Sequence, residues 1–349
     1  MTMPYGSWPS PLSAEDVSQS APRIDGARFV GDEIWWGESV PAQGGRVTVR
    51  SSSGAEILPE PWNARSRVHE YGGGAWTADA EGTLYFVNAV DQRVHRMPRA
   101  GVPEPLTAPG PQYGGLTLQQ GRLLAVREDL RPEPHLRAIV EIPLDGSAAE
   151  DEAAVQVWDQ GRHFVAHPAL SPNGEHLAFV AWSGMQMPWE RAHIRIRSRD
   201  GSAAWSVGTA AALQPSWTDD EALLYLDDRT GRWNLWRADL ASTADQHPGE
   251  PSSRTVSTQI VALADADTGG GLWVLGNRWY GVLEDGRIVA VRTNGADEVV
   301  LIDPATGSVR VLDVPASGEA SIDDVSGTRV LVSGSGANVE RGLWCVDAE

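Results

Sequence analysis

Leu223–Leu240 reads LLYLDDRTGRWNLWRADL. Leu223–Leu226 is a short apolar run, Asp227–Gly231 carries turn chemistry, and Trp233–Arg237 alternates large and polar side chains before Ala238, Asp239 and Leu240. Five turn-forming residues in a row would interrupt any 3.6-residue period, but they suit the reversal between two antiparallel strands. The stretch reads as a β-hairpin.

Related hairpins recur at Leu84–Met97, Leu123–Leu144, Leu177–Arg199, Ile288–Ile302 and Val330–Val346, with a less regular copy from Ile34. Seven units, most of them roughly 40 to 50 residues long with room for about four short strands each, are what the blades of a β-propeller require. A two-sheet sandwich is the competing architecture, and 349 residues would make a very large one. The expected fold is all-β: a seven-bladed propeller of four-stranded antiparallel blades over residues 23–349, preceded by a lead-in over residues 1–22. Within that lead-in, Pro11–Ala21 is the one helical pattern, with Ser13 placed to cap a short turn. The first blade is expected to place strands near Ala27–Val30, Ile34–Glu38, Arg46–Arg50 and Glu56–Leu58, with adjacent Trp35 and Trp36 facing opposite sides. The last supplies strands near Ala320–Val325, Arg329–Ser333 and Gly342–Val346 and reaches Glu349 before a fourth, so it is expected to be incomplete.

Composition narrows the partners. With 28 Lys plus Arg against 47 Asp plus Glu, the formal net charge is −19, a field that repels nucleic-acid phosphates and anionic lipid surfaces. Cys345 is the sole cysteine, no basic-then-apolar leader opens the chain, and no apolar run is long enough to span a bilayer. A cytoplasmic location is expected. Residues 241–258 are poor in large apolar side chains and read as a surface excursion.

Three stretches stand out from the repeat. Arg67–Trp76, RVHEYGGGAW, places three glycines where an inner strand crowds the axis, with His69 and Glu70 just before them. That pair is read either as a hydrogen-bonded closure between blades or as a ligand contact. Arg127–His135, REDLRPEPH, is a charged, proline-stiffened loop. Trp182–Arg191, WSGMQMPWER, carries Met185, Met187 and Trp189, too apolar for a free loop, and is expected to be covered by a facing domain.

Catalytic chemistry is harder to find. A serine hydrolase of the α/β type announces itself by Gly-x-Ser-x-Gly between a strand and a helix, and no serine here has that setting. His163 and His167 have His-x-x-x-His spacing on what reads as a strand, where they stand roughly 13 Å apart, and Glu190 with His193 lacks a third ligand. Gly72–Gly74 is followed by no helix and no Lys-Ser/Thr, so it is not a phosphate loop. No cofactor, metal or catalytic residue is assigned.

The run Val68–Trp76, followed by Leu84–Val87, Gln92–Val94, Leu124–Asp129, Pro143–Gly146, Leu170–Gly174 and Met187–Trp189, resembles the N-terminal propeller of serine peptidases in the prolyl oligopeptidase family, on the acylaminoacyl-peptidase and dipeptidyl-peptidase side. Two departures are Leu118–Gly121, where a Ser-Pro-Asp-Gly turn is usual, and Gly114–Gly115 after Tyr113, where a more polar pair is common. The resemblance implies a substrate-gating and substrate-selecting disc for short peptides, with a C-terminal α/β-hydrolase domain, absent here, as its partner. This sequence would then be a fragment or a truncated product. It also implies that loops facing that domain hold the substrate terminus, which makes Arg127, Glu128 and Asp129 candidate substrate contacts beside His69 and Glu70. The alternative is a free-standing TolB-like propeller that binds a protein partner or a small ligand.

Overall fold

The hairpins read from the sequence are the second and third strands of seven successive sheets. The structure is a computed structural model and describes residues 3–15, 22–241 and 255–349. Blade one comprises β1 (Arg23–Val30), β2 (Glu33–Val40) and β3 (Arg46–Ser51). Blade two comprises β4 (Trp76–Ala78), β5 (Leu84–Val87), β6 (Val94–Met97) and β7 (Glu104–Pro105). Blade three holds β8 (Gln112–Gln119), β9 (Arg122–Asp129), β10 (Leu136–Ile142) and β11 (Gln156–Gly161), and blade four β12 (Phe164–Leu170), β13 (His176–Trp182), β14 (His193–Ser198) and β15 (Ala204–Val207). Blade five holds β16 (Leu213–Trp217), β17 (Ala222–Asp227), β18 (Asn234–Ala241) and β19 (Thr255–Ile260). Blade six holds β20 (Tyr280–Val282), β21 (Ile288–Asn294), β22 (Ala296–Ile302) and β23 (Val309–Val311), and blade seven β24 (Gly318–Ser326), β25 (Arg329–Gly336) and β26 (Val339–Asp347). All pairings within these sheets are antiparallel and sequential.

The opening hairpin shows why the unit folds. Leu223 pairs with Ala238 and Leu226 with Leu235, and the reversal begins beyond the Asp227–Asn234 pair. Buried Asp227 accepts the Arg229 amide at 2.9 Å within the turn and the Thr209 amide at 2.9 Å from the preceding blade's exit. Leu223, Leu224, Tyr225 and Leu226 are all buried, because a blade is packed on both faces by its neighbours. One large apolar cluster links blades three to six, and smaller ones fill the interfaces between blades one and two, two and three, and six and seven.

Three expectations change in detail. The fourth strand expected near Glu56–Leu58 in blade one shrinks to an isolated bridge between Arg50 and Glu56. There the Ile57 and Leu58 amides both turn onto the Val49 carbonyl, and Leu58 leaves the edge to be fully buried. The excursion expected over residues 241–258 is strand at both ends, through Ala241 and from Thr255, and residues 242–254 lie outside the described set. The helical pattern at Pro11–Ala21 falls mostly on residues 16–21, also outside it. Blade seven has three strands, as expected.

The innermost strands share a device that the pattern of apolar residues does not reveal. In β8, β12, β16 and β24 a bulge sets two residues against one on the second strand. The first of each pair is left-handed: Gly115, His167, Gln214 and Glu319, with φ of 58°, 50°, 45° and 53°. Such bulges bend a strand and re-aim its side chains: His167 and Gln214 turn to the axial cavity, while Glu319 stays exposed and pairs with Arg341.

Side chains at these inner strands staple one blade to the next. The Gln119 amide donates to Pro168 O at 2.9 Å and accepts from the Leu170 amide at 2.8 Å, while Gln120 donates to Ser171 O at 2.7 Å. The departure from Ser-Pro-Asp-Gly thus holds blade three to blade four. Gln214 repeats the motif between blades five and six, donating to Tyr280 O and accepting from the Trp279 amide, both at 2.7 Å. The ring closes where Arg28 donates to Asp323 O at 2.9 Å and the Phe29 amide donates to the Asp324 carboxylate at 3.0 Å.

At the axis two glycine-bearing segments cross. The Leu275 amide donates to Gly72 O at 2.8 Å, Gly73 forms a parallel bridge with Leu275, and the Gly115 amide donates to Gly73 O at 3.1 Å. These segments enter blades two and six, which stand across the ring from each other, so their contact has to pass through its centre. A Cβ on Gly73 would lie 2.2 Å from Leu275 O, at a φ of 98°. Gly73→Ala is expected to cost about 3 kcal/mol or more in urea unfolding, against roughly 1 kcal/mol for Gly286→Ala. Gly286 has a similar φ of 85° but open space at its Cβ. Equal costs for the two would mean that left-handed strain alone, and not the crossing, demands glycine.

Candidate functional site

The crossing divides the axis into two cavities that share Leu275 as a wall. The larger, about 610 Å³, lies where the innermost strands begin; its wall is mainly apolar and aromatic, with Arg67, Glu70, Glu128 and Arg137 as charged members. Its deepest part is a cage in which His69 meets Phe164 edge-on at 4.9 Å and Trp182 at 5.8 Å, while those two rings stack at 5.4 Å. The Arg137 guanidinium caps Phe164 at 3.8 Å from the ring centre.

The rim comes from loops that the sequence marks as unusual. Met185, Met187, Leu130, Tyr71 and Trp273 are large apolar residues left exposed, Met185 at 92% and Tyr71 at 61%. Trp273 stands edge-on to Tyr71 at 5.8 Å and packs against Trp189 at 4.3 Å, which joins the blade-four loop to the axial crossing. A patch of this kind around a concave site is the mark of an interaction surface.

Of the five candidate contacts, His69, Glu70 and Glu128 line this cavity, and Arg127 and Asp129 lie outside its wall. Glu128 is nearly fully buried and is shared between Arg137 Nε at 2.8 Å and the backbone amide of His69 at 2.8 Å, so it pins the axial crossing to blade three. His69 and Glu70 are both left-handed, with φ of 55° and 68°. The carboxylate of Glu70 is exposed at the wall. Asp129 takes both Arg131 Nε and Nη2, at 2.8 and 2.7 Å, and those hydrogen bonds hold its carboxyl below the usual range. Arg131 continues to Glu152 at 2.8 Å, with Arg127 3.8 Å from the same carboxylate. This network shapes the loop. Its partly exposed pairs contribute less than about 1 kcal/mol each.

Sequence reasoning missed Arg137, Phe164, Trp182 and Trp273. For Trp273 the available signal was a second triplet, Gly269–Gly271, just before Leu272 and Trp273, both of which line the cavity. Among the described residues no serine, threonine or cysteine lines the cavity. Its chemistry is to hold a large apolar group beside an exposed carboxylate and a buried imidazole, without a nucleophile of its own.

No family model and no curated protein sequence matches the chain. Solved structures do. A Mycobacterium tuberculosis puromycin-hydrolysing peptidase is 35% identical, with a TM-score of 0.87, over 99% of this chain and 55% of that one. A puromycin hydrolase is 32% identical, with a TM-score of 0.83, over the same shares. A prolyl endopeptidase, 13% identical over 94% of this chain and 48% of that one, shares the fold at a TM-score of 0.65. The protein is a seven-bladed propeller of the class carried by prolyl oligopeptidase-family peptidases. Within that class it is similar over nearly all its length to the propeller of puromycin hydrolases, and it spans about half the length of those structures. Among the described residues no helix is long and apolar enough to cross a membrane.

Burial, and then the Arg137 guanidinium, push the His69 pKa from 6.5 down to about 3. Between those values the unfolded chain binds a proton at this residue that the folded chain does not, so acidification favours unfolding. His69→Phe keeps an aromatic ring in the cage and is expected to flatten the fall in stability between about pH 6.5 and 3, by up to about 1.4 kcal/mol per pH unit. Asp323 is pushed up to about 6 by burial and acts in the opposite direction, but it is common to both proteins. Urea midpoints measured across this range test the difference. Parallel pH profiles would show that His69 titrates normally in the folded state.

Proposed function

We propose that this chain is the substrate-gating and substrate-selecting propeller of a serine peptidase that hydrolyses short peptides, with the reacting serine, histidine and acid supplied by an α/β-hydrolase domain seated on the apolar face. The observation that carries this reading is the coincidence, on one face, of a mainly apolar cavity of about 610 Å³ and an exposed rim of Tyr71, Leu130, Met187 and Trp273. A hydrolase domain docked there would cover the rim and turn the cavity into a wall of the reaction chamber. The similar peptidases are nearly twice this chain's length, and one is described as hydrolysing puromycin, which fits a disc that serves a larger enzyme.

In this reading His69, Glu70 and Glu128 meet the substrate at the cavity wall, with Arg127 and Asp129 setting the loop beside it. Of the three carboxylates in this set Glu70 alone is exposed, suited to a cationic substrate end, while Glu128 also holds the backbone at His69. A single cysteine in the sequence suits a reducing, cytoplasmic setting.

Expressed alone, residues 1–349 are expected neither to cleave aminoacyl or acyl-peptide chromogenic substrates nor to label with a serine-directed fluorophosphonate. Joined to the C-terminal portion of the similar M. tuberculosis peptidase, the chain is expected to support cleavage, and Trp273→Glu with Met187→Glu to reduce kcat/KM at least about tenfold by charging the docking face. Labelling of a serine within residues 1–349, or full activity of the doubly charged fusion, would overturn the reading.

A further inference from the structure

The second axial cavity holds polar groups that neither the fold nor the proposed peptidase role uses. It measures about 410 Å³ and is walled by residues of all seven blades, from Arg28 and Phe29 in blade one to Asp324 in blade seven. Gly115, Leu275 and Gly276 form its inner wall at the crossing, so it is a blind pocket where the innermost strands end.

Two guanidinium groups stand together in its wall. Arg28 Nη1 and Arg278 Nη1 both donate to the carbonyl of Asp323, at 2.9 and 3.3 Å, so the two charges are held within hydrogen-bond reach of one point. Burial, and then the neighbouring Arg28, lower the Arg278 pKa, the direction expected for a cation kept beside a like charge. The bulge in β12 brings His167 into the same wall. Both its ring nitrogens are buried without a well-formed hydrogen bond, one of them facing the Asn277 carbonyl, and burial keeps the imidazole neutral, with a pKa near 4. Ser216 adds a hydroxyl.

Acceptors are fewer. Among the described residues Asp324 is the sole lining carboxylate. One of its oxygens takes the Phe29 amide, and the other stands 3.9 Å from Arg278. From outside the wall the carboxyl of Asp323 is a charge partner of both arginines and that of Asp25 a partner of Arg28, and burial raises the pKa of both carboxyls. The wall therefore offers more donors than acceptors, around two side-by-side arginines, in a chain whose net charge is −19.

We propose that this blind chamber binds a small oxyanion, a carboxylate or a phosphate, between Arg28 and Arg278, with His167 in the same wall. Paired guanidiniums match the geometry of such groups, and an anion between them relieves their mutual repulsion. The site lies on the far side of the crossing from the apolar cavity, so its occupation is independent of the peptidase reading.

The test follows the His167 ring resonances by NMR while inorganic phosphate, and in a separate arm acetate, is added at constant ionic strength held with chloride. A saturable shift is expected in at least one arm: phosphate alone assigns a phosphate ligand, acetate alone a carboxylate, and both the shared oxyanion chemistry. Arg278→Gln is expected to weaken it about tenfold. Ser216→Asp keeps the test sound should that variant fail to fold. It places a carboxylate in the chamber, removes no hydrogen bond present in the structure, and is expected to weaken binding to a similar degree with unchanged thermal melting. The proposal is overturned if neither anion gives a saturable shift, if chloride alone reproduces it, or if folded Ser216→Asp binds as the parent does.

Discussion

Backbone meets backbone at the centre of this ring, and that contact requires the absence of side chains. The Leu275 amide reaches Gly72 O, Gly73 bridges Leu275, and Gly74 lies so close to Gly115 that an added Cβ would stand 2.7 Å from its Cα. Three blades meet there through main-chain hydrogen bonds, which leave few polar groups unpaired in a place that water reaches poorly. The same crossing separates the two cavities and presents His69, Glu70 and Tyr71 on one side of itself.

Around that centre the disc is held by two kinds of force. Apolar burial between blades supplies most of the driving force, because each sheet is covered on both faces. Direction comes from side chains that read the next blade's backbone: Gln119 on β12, Gln214 on the start of blade six, Arg28 and Asp324 across the closing interface. A side-chain amide can donate and accept at once, so it imitates strand pairing where the strands themselves diverge. The first and last blades, each with three strands, meet through these polar contacts at their inner strands.

The two faces differ in chemistry because the inner strands carry different residues at their two ends. Where they begin, Phe164 and the entering segments of blades two and six bring aromatic groups; where they end, Arg28, Gln119, His167, Gln214 and Arg278 bring polar ones. An apolar face suits a covering domain, and a polar blind pocket suits a small solute. The left-handed residues at the bulges, His167 and Gln214 among them, are what turn those side chains inward.

Local order was legible in the residues. Alternating apolar runs broken by Asp/Gly turns located the hairpins, and their spacing counted seven blades, because both depend on neighbours within about 20 residues. The triple glycine at Gly72–Gly74 marked a close approach, and the Met185–Trp189 stretch marked a surface that calls for cover. What only the tertiary structure decided is who stands opposite whom. That Gly73 faces Leu275, that Glu128 takes the His69 amide, and that Arg28 and Arg278 share one carbonyl are contacts between residues 45 to 295 positions apart. No local pattern encodes such pairings, since they arise only when the ring closes and places inner strands from distant repeats around one axis.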